Sequence, residues 1–317
     1  MASIATTFQT YQSKGNREDL SDLIDNIAPT ETPFYSMLKK KSCSSVKFEW
    51  QTDSLTAAAN NAKIEGESYA TFTAVTPTVR WDNYTQISSK DFMISRTQEV
   101  IDKAGRQSEI DYQTLLKGKE LKRDVEFACF QNTTYNAGAA ATARQTRGME
   151  GWIATTCLVG AGAGAAPVPA SNTAPVAGTA RALTEAFVKS ASQSVYTEGG
   201  DPSVLFVTPS HKTLVSAFAG NSTRNVDVDG GKLNTAISIY VTDFHTLKVV
   251  PARNIRAGAA SVAMLVDPAH VKLRVLDPIK THKMAKVSDA ESFLVTYEWG
   301  LEVSNEKAHA QIRDLNA

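Results

Sequence analysis

Residues 107–134, QSEIDYQTLLKGKELKRDVEFACFQNTT, form the longest continuous helical pattern in the sequence. Ser108 is a suitable N-cap, with Asp111 in the first turn. Gly118 weakens the pattern, because glycine inside a helix costs roughly 1 kcal/mol relative to alanine. A helix of this length would span roughly 40 Å, which is long for a compact enzyme. The pattern predicts a bundle helix, or a spine that carries sheets and a neighbouring subunit. Its apolar stripe contains Ile110, Leu121, Val125 and Ala128.

Composition limits the classes of function. The chain has 317 residues, enough for one large or two ordinary domains. Its 33 basic residues balance 33 acidic ones, which argues against a protein that binds nucleic acid directly. Three cysteines without CxxC spacing predict neither a disulfide framework nor a zinc site. The N-terminus lacks a signal-peptide pattern and no apolar run approaches membrane length, so we expect no membrane partner.

Residues 16–38 precede this helix and predict a short helix followed by an extended arm. Proline residues, including Pro33, should prevent the short helix from continuing. Aromatic side chains on such an arm would be exposed unless they lie on another surface, and a neighbouring subunit is one candidate. The expected contact residues of this segment are Leu23, Pro29, Phe34 and Tyr35.

Residues 46–97 predict a long two-stranded excursion with a mobile tip. Alternating β patterns at 46–51 and 70–87 flank a segment rich in alanine and asparagine, and residues 92–97 close the excursion. A lone hairpin of that size cannot bury its own faces, so its large aromatic side chains should pack on something else. These are Trp50, Phe72 and Trp81.

The second half of the chain mixes helices and strands. Residues 159–178, almost wholly Ala, Gly, Pro and Val, predict a surface loop. Helices are expected at 183–196 and 209–218, with a buried strand at 203–208 between them. The expected strands that follow are 237–242, 246–250, 261–266 and 271–275, and then three antiparallel strands at 279–287, 293–303 and 308–312.

Short motif matches do not assemble into a catalytic, cofactor or metal site. Residues 160–165 fit the loose G-x-G-x-x-G/A pattern, but Pro167 stands where the phosphate-binding helix should begin. Residues 225–236 begin like an EF-hand loop, yet Ala236 occupies the position of the bidentate glutamate. The five histidines lack metal-ligand spacing. The pattern favours a building block, whose extended elements are exchanged with neighbouring subunits.

An enzyme remains a competing interpretation. An α/β domain at 183–275 could form a pocket from residues that are distant in sequence. The candidates for such a pocket are Asp243, His245 and Asp267.

The order of these parts resembles the major capsid proteins of tailed bacteriophages, which have the α+β HK-97-type coat fold. Two stretches are similar in detail to the arm and spine of a phage major head protein subfamily: residues 16–38, and residues 105–109 with 120–126. The resemblance implies an N-terminal arm at 1–45, an extended E-loop at 46–97, and a peripheral domain at 98–182 that contains the spine helix and a flexible loop. It also implies an axial domain at 183–267 and closing peripheral strands at 268–317.

The function that the resemblance implies is structural. Copies would form hexamers and pentamers of an icosahedral head in the virion, assembled in the host cytoplasm around double-stranded DNA that the subunits contact non-specifically. The chain begins almost directly at the arm, so a separate scaffolding protein is expected, with a portal and possible decoration protein as further partners. Some relatives crosslink an E-loop lysine; Lys63 beside Glu65 is the candidate here, although an ordinary solvent-facing lysine is the simpler interpretation. A cellular encapsulating shell of the same fold is an alternative.

Overall fold

A computed structural model describes residues 29–66, 74–103, 105–218, 239–286 and 288–316. Leu23, Phe72 and the EF-hand-like residues 225–236 lie outside these ranges. The helices are α1 Pro33–Met37, α2 Arg96–Val100, α3 Glu109–Gln131, α4 Met149–Trp152, α5 Glu185–Glu198 and α6 Pro209–Ser216. The strands are β1 Lys39–Ser42, β2 Lys47–Thr52, β3 Val79–Tyr84, β4 Gln86–Ser95, β5 Cys157–Leu158, β6 Val204–Val207, β7 Ile239–Val241, β8 Thr246–Pro251, β9 Ser261–Val266, β10 Val271–Lys283, β11 Ala290–Val303 and β12 Ala310–Leu315.

A four-stranded sheet has the order β1-β10-β11-β4, in which β1 is parallel to β10 and the other pairs are antiparallel. The prediction of separate strands at 271–275 and 279–287 is wrong, because β10 is continuous from Val271 to Lys283. Pro278 lies where the β10–β11 register shifts between Asp277 and Lys280. A bulge tolerates proline because its missing N–H is not needed for a ladder hydrogen bond there.

A six-stranded sheet has the order β5-β12-β9-β6-β8-β7. We expected the last strand to pair beside residues 293–303, but β12 lies between β9 and β5 instead. All six residues of β12 are buried, as are all six of β9. Strands buried on both faces belong in the interior of a covered sheet, which explains the position of β12. The chain therefore returns at its end to the sheet formed by residues 204–266.

Helix α3 confirms the predicted spine-like helix, with ends at Glu109 and Gln131. The Ser108 side chain accepts a hydrogen bond from the backbone N–H of Asp111, as a cap should. Leu121 and Val125 are fully buried against the four-stranded sheet in the larger of two cores. The second core lies between helices α5 and α6 and the six-stranded sheet. Helix α3 therefore supports the four-stranded sheet, and its Phe130 ring also contacts Phe206 of β6, with ring centres 5.5 Å apart.

The predicted loop at 159–178 is a small hairpin. Isolated β-bridges join Ala165 to Val176 and Val168 to Thr173, and a 3-10 turn at Pro169–Ser171 closes it. The backbone N–H of Gly160 donates to Asp314 Oδ2 over 2.8 Å. A Cβ on Gly178 would lie 2.7 Å from the Gly160 carbonyl carbon, so glycine is needed for this close approach. The glycines of this segment thus serve backbone packing, and the next α-helix, α5, begins only at Glu185, too far along the chain for a phosphate-binding turn.

Candidate assembly surfaces

The hairpin formed by β2 and β3 has a base of packed tryptophans. Trp50 and Trp81 contact Trp152 of α4, with ring centres 5.1 Å and 5.9 Å apart. The prediction that Trp50 and Trp81 pack on another element is confirmed, and that element belongs to the same chain. Such aromatic contacts stabilise a pair by about 0.5–1.5 kcal/mol beyond the buried area. The base of the hairpin is therefore held in a defined orientation.

Arg147 completes this aromatic cluster. Its guanidinium lies 4.5 Å from the ring centre of Trp152 and 4.9 Å from that of Tyr135. One guanidinium nitrogen donates to Asn172 Oδ1 over 2.7 Å. Burial lowers the pKa of Arg147 to about 10, so the side chain is still positively charged at neutral pH. The buried cation joins Trp152 to Tyr135, whose ring in turn contacts Tyr84 of β3, with ring centres 5.1 Å apart.

Asn83 joins β3 to the rest of the chain. Its side-chain nitrogen donates to the carbonyl oxygens of Leu301 and Arg147, over 2.7 and 3.1 Å, and to Thr146 Oγ1. Its Oδ1 accepts from the backbone N–H of Arg147. Asn83 is fully buried. Sequence reasoning missed this role, and the available signal was an asparagine inside a β pattern, where it is disfavoured.

The tip of the excursion extends beyond the paired strands. Residues 53–66 and 74–78 contain no strand, so the prediction of β structure from residue 70 onward is wrong for 74–78. Strand β4 pairs with β11, so the paired hairpin ends at Tyr84 and residues 86–95 belong to the four-stranded sheet. Lys63 is exposed on the tip. Large apolar side chains are also exposed there: Leu55, Ile64 and Val75.

The arm residues Phe34 and Tyr35 lie in a helix and in the core of their own subunit, so the prediction of an extended arm is wrong at these two residues. They belong to α1, which Pro33 begins as its first residue, where the missing N–H costs nothing. The Phe34 ring centre is 4.6 Å from that of Phe130 on α3. Both side chains contact their own subunit, while Pro29 remains exposed.

Glu126 of α3 binds α1 directly. Its Oε2 accepts hydrogen bonds from the backbone N–H groups of Phe34 and Tyr35, and its Oε1 accepts one from Asn254 Nδ2. The side chain is fully buried, and this burial raises the pKa of Glu126 even though the three hydrogen bonds oppose the shift. The carboxylate therefore takes the place of a side-chain N-cap for α1 and connects three segments of the chain.

The residues of the competing enzyme interpretation do not form a joint site. His245 is buried, and its ring nitrogens bond Ser192 Oγ and the Gly200 carbonyl oxygen. Asp243 is exposed, and the carboxylate of Asp267 bonds His270 and the backbone N–H of Ala269. No hydrogen bond joins any two of these three side chains in the described part of the chain. Their contacts are those of structural residues.

Across the described ranges, no group of three or more His, Cys, Asp or Glu side chains is placed to hold a metal ion. No helix within those ranges is both long and apolar enough to cross a bilayer.

The two sheets, the long α3 and the projecting hairpin define the HK97-like fold of phage capsid proteins. The structure is similar to the Gordonia phage Cozz structure, with a TM-score of 0.63 and 14% identity over 99% of this chain and 97% of that one. It is also similar to the capsid of the native GTA particle, with a TM-score of 0.66 and 11% identity over 97% and 98%. The SrpI encapsulin of Synechococcus elongatus gives a TM-score of 0.56, with 11% identity over 95% and 92%.

The sequence identifies the family within this fold. Residues 3–316 match the SU10 major capsid protein family, and the chain belongs to it. A stretch of 122 residues is 40% identical to the major capsid protein of Escherichia phage Phieco32, covering 38% of this chain. The chain spans about a third of the length of the curated relative it matches, since the match covers 34% of that protein.

Proposed function

We propose that this chain is the structural subunit of an icosahedral phage head. The observation that carries the proposal is the family match over residues 3–316, in a chain whose hairpin tip, residues 53–66, contributes no residue to either core. The base of that hairpin is fixed by Trp152, whereas its tip exposes Leu55, Ile64 and Val75. An apolar tip on a rigid base suits a contact with another subunit.

The proposal includes the finer features of a head. Subunits associate as hexamers and pentamers, with a separate scaffolding protein, a portal and a decoration protein as partners. The shell is assembled in the host cytoplasm and encloses double-stranded DNA that the subunits touch non-specifically. Contacts between subunits involve Pro29, Lys63 and the tip. The division into arm, E-loop, peripheral and axial domains is retained with two changes: the E-loop hairpin ends at Tyr84, and β12 shares the sheet of residues 204–266.

Negative-stain electron microscopy of the purified full chain, expressed alone and with the scaffolding protein of its own phage, tests the proposal. We expect capsomers or closed icosahedral particles. A variant lacking residues 56–66 should fold, because these residues contribute nothing to either core, but should fail to close shells. A homogeneous monomer in every preparation of the unaltered chain would contradict the proposal, and normal shells from the deletion variant would contradict the role of the tip.

A cellular shell is the second candidate, favoured by the similarity to the SrpI encapsulin. Particles isolated from the native source distinguish the two. Nucleic acid inside the particles supports the phage head, whereas a packaged enzyme without nucleic acid supports the encapsulating shell.

A further inference from the structure

Three basic side chains on the exposed side of α3 have no ionic partner. Lys119 and Lys122 are exposed and Arg123 is half-buried, and none of the three forms an ion pair with another described residue. Residues three or four apart on a helix are neighbours, with Cβ atoms about 5–6 Å apart. Lys119 therefore lies beside both Lys122 and Arg123, and the three positive charges form one cluster.

The carboxylates of α3 that are closest to this cluster have other partners. Glu120 binds Lys117 Nζ over 3.0 Å, and Asp124 binds Lys90 of β4 over 2.6 Å. Glu126 is fully buried, and its two carboxylate oxygens accept hydrogen bonds from other segments of the chain. No carboxylate of this part of α3 therefore pairs with the cluster.

Arg253 extends the cluster beyond α3. It is exposed and has no ion pair within the described part of the chain. It precedes Asn254, whose side-chain nitrogen donates to Glu126 Oε1 over 3.1 Å and whose carbonyl oxygen accepts from Gln131 Nε2 over 2.9 Å. Glu126 is one helical turn beyond Lys122, so the backbone of Arg253 lies within roughly 15 Å of the cluster.

Lys40 adds a positive charge on the same side of the four-stranded sheet. It pairs with Leu273 in the register of β1 and β10, and Leu273 is fully buried in the core that α3 covers. Laterally paired residues point to the same side of a sheet. Lys40 is exposed, and its Nζ lies 4.8 Å from the ring centre of Tyr35, whose backbone N–H donates to Glu126. We call these five cations the basic strip: Lys40, Lys119, Lys122, Arg123 and Arg253.

The basic strip has the chemistry of a surface for a polyanion. The formal charge of the whole chain is zero, so the attraction is confined to this side of the subunit. Double-stranded DNA carries one phosphate charge per about 1.7 Å of its axis, whereas α3 advances roughly 10 Å from Lys119 to Glu126. Several phosphates can therefore lie against one strip. Lysine and arginine contacts to phosphate position DNA without reading its sequence.

We propose that the basic strip contacts the phosphate backbone of the double-stranded DNA that the head encloses. This inference rests on the proposed function and adds the contact surface, and it places the α3 side of the four-stranded sheet on the interior of the shell. A regular array of phosphates can meet cations from three chain segments at once, which favours DNA over a short acidic peptide. Each exposed contact is weak and is screened by salt, but the strip recurs in every subunit.

Removal of charge from the purified full chain tests the proposal. Binding of a short double-stranded DNA of mixed sequence is measured between roughly 50 and 200 mM salt, where each phosphate contact contributes about −0.9 to the slope of log K against log salt concentration. Lys119→Gln/Lys122→Gln should reduce the magnitude of this slope by roughly 2. Adding Arg253→Gln should reduce it by about 1 more. Both variants should keep the melting temperature of the unaltered chain, because the three side chains are exposed.

The matched control is Lys39→Gln/Lys41→Gln, which makes the same two substitutions on the opposite side of the sheet. Lys39 and Lys41 alternate with Lys40 along β1, are exposed, and have no ion pair with another described residue. The control should leave the slope unchanged. A reduced slope in the control but not in Lys119→Gln/Lys122→Gln would show that the opposite side meets DNA, and would overturn the proposal.

Shell formation separates this inference from the proposed function. If the unaltered chain forms shells but Lys119→Gln/Lys122→Gln binds DNA with an unchanged slope, the inference fails while the proposed function stands. If that variant keeps the slope but no longer assembles with the scaffolding protein, the basic strip contacts an acidic protein and the inference also fails. Absence of shells from every preparation of the unaltered chain overturns both.

Discussion

Glu126 Oε2 lies 3.0 Å from the backbone nitrogen of Phe34, although the two residues are 92 positions apart in sequence. The same oxygen accepts from Tyr35, so one buried carboxylate fixes the start of α1 against α3. Helix α1 is therefore positioned against α3 by hydrogen bonds between residues far apart in sequence. No local sequence pattern predicts such hydrogen bonds.

Removing the Glu126 carboxylate should destabilise the subunit. Glu126→Ala leaves two buried backbone donors and the Asn254 amide without their acceptor, and we expect a loss of about 3–5 kcal/mol in the free energy of unfolding. Glu126→Gln keeps one acceptor oxygen and a similar volume, and should cost about 1–2 kcal/mol. Thermal and denaturant unfolding of unassembled subunits measures both. Equal stability of the alanine variant and the unaltered chain would contradict this role.

The raised pKa of Glu126 gives a pH dependence. An acid whose pKa is higher in the folded state binds its proton more tightly there, so its contribution to stability is full below the ordinary pKa of 4.5. That contribution is lost as pH rises through the folded-state value. The stability of the unaltered chain relative to Glu126→Gln should therefore decrease across this window. If this stability difference instead increased with pH, the hydrogen bonds to Glu126 would lower its pKa by more than burial raises it.

His309 should make the subunit sensitive to acid. It is fully buried, and its Nδ1 accepts from the Asp267 backbone N–H over 3.1 Å. Burial lowers its pKa from 6.5 to about 3, so its contribution to stability is present above pH 6.5 and is lost as pH falls toward 3. His309→Asn keeps an acceptor without the titration, and its melting temperature should fall less between these pH values. If the melting temperatures of the two proteins fell by the same amount over this pH range, His309 would not be the source of the acid sensitivity.

The ring of Trp152 should hold the hairpin base. Trp152→Ala removes the contacts to Trp50, Trp81 and Arg147, and we expect a loss of about 3–5 kcal/mol. Trp152→Phe is the matched control, because the indole N–H has no hydrogen-bond partner among the described residues and much of the ring contact is kept. Amide hydrogen exchange in β2 and β3 should accelerate in the alanine variant much more than in the phenylalanine variant. Unchanged exchange would show that Asn83 alone anchors the hairpin.

Gly118 can be replaced in α3. Apart from the backbone of its own helix, a Cβ there would meet no heavy atom of the described residues within 4 Å, so Gly118→Ala should stabilise the subunit by up to about 1 kcal/mol through helix propensity. Gly148→Ala is the contrasting variant, since its Cβ would lie 2.6 Å from the carbonyl oxygens of Ala128 and Cys129. It should destabilise the subunit. Melting temperatures compare the two, and a destabilising Gly118→Ala would indicate that the helix needs flexibility at this point.

The sequence by itself determined the elements with strong local patterns. The apolar stripe and Ser108 cap predicted α3 to within three residues at each end, and the continuous apolar run 261–266 predicted β9. Helical periodicity, capping and strand alternation depend on neighbouring residues, so they can be read without knowing the fold.

Only the tertiary structure decided which distant segments meet. It placed Phe34 in a helix in the core of its own subunit, moved β12 into the six-stranded sheet, and made Asn83 the buried link of the hairpin. Each outcome depends on burial and on hydrogen bonds between residues far apart in sequence. Local propensity carries no information about these partners, because their energy arises only when a specific packed arrangement excludes water.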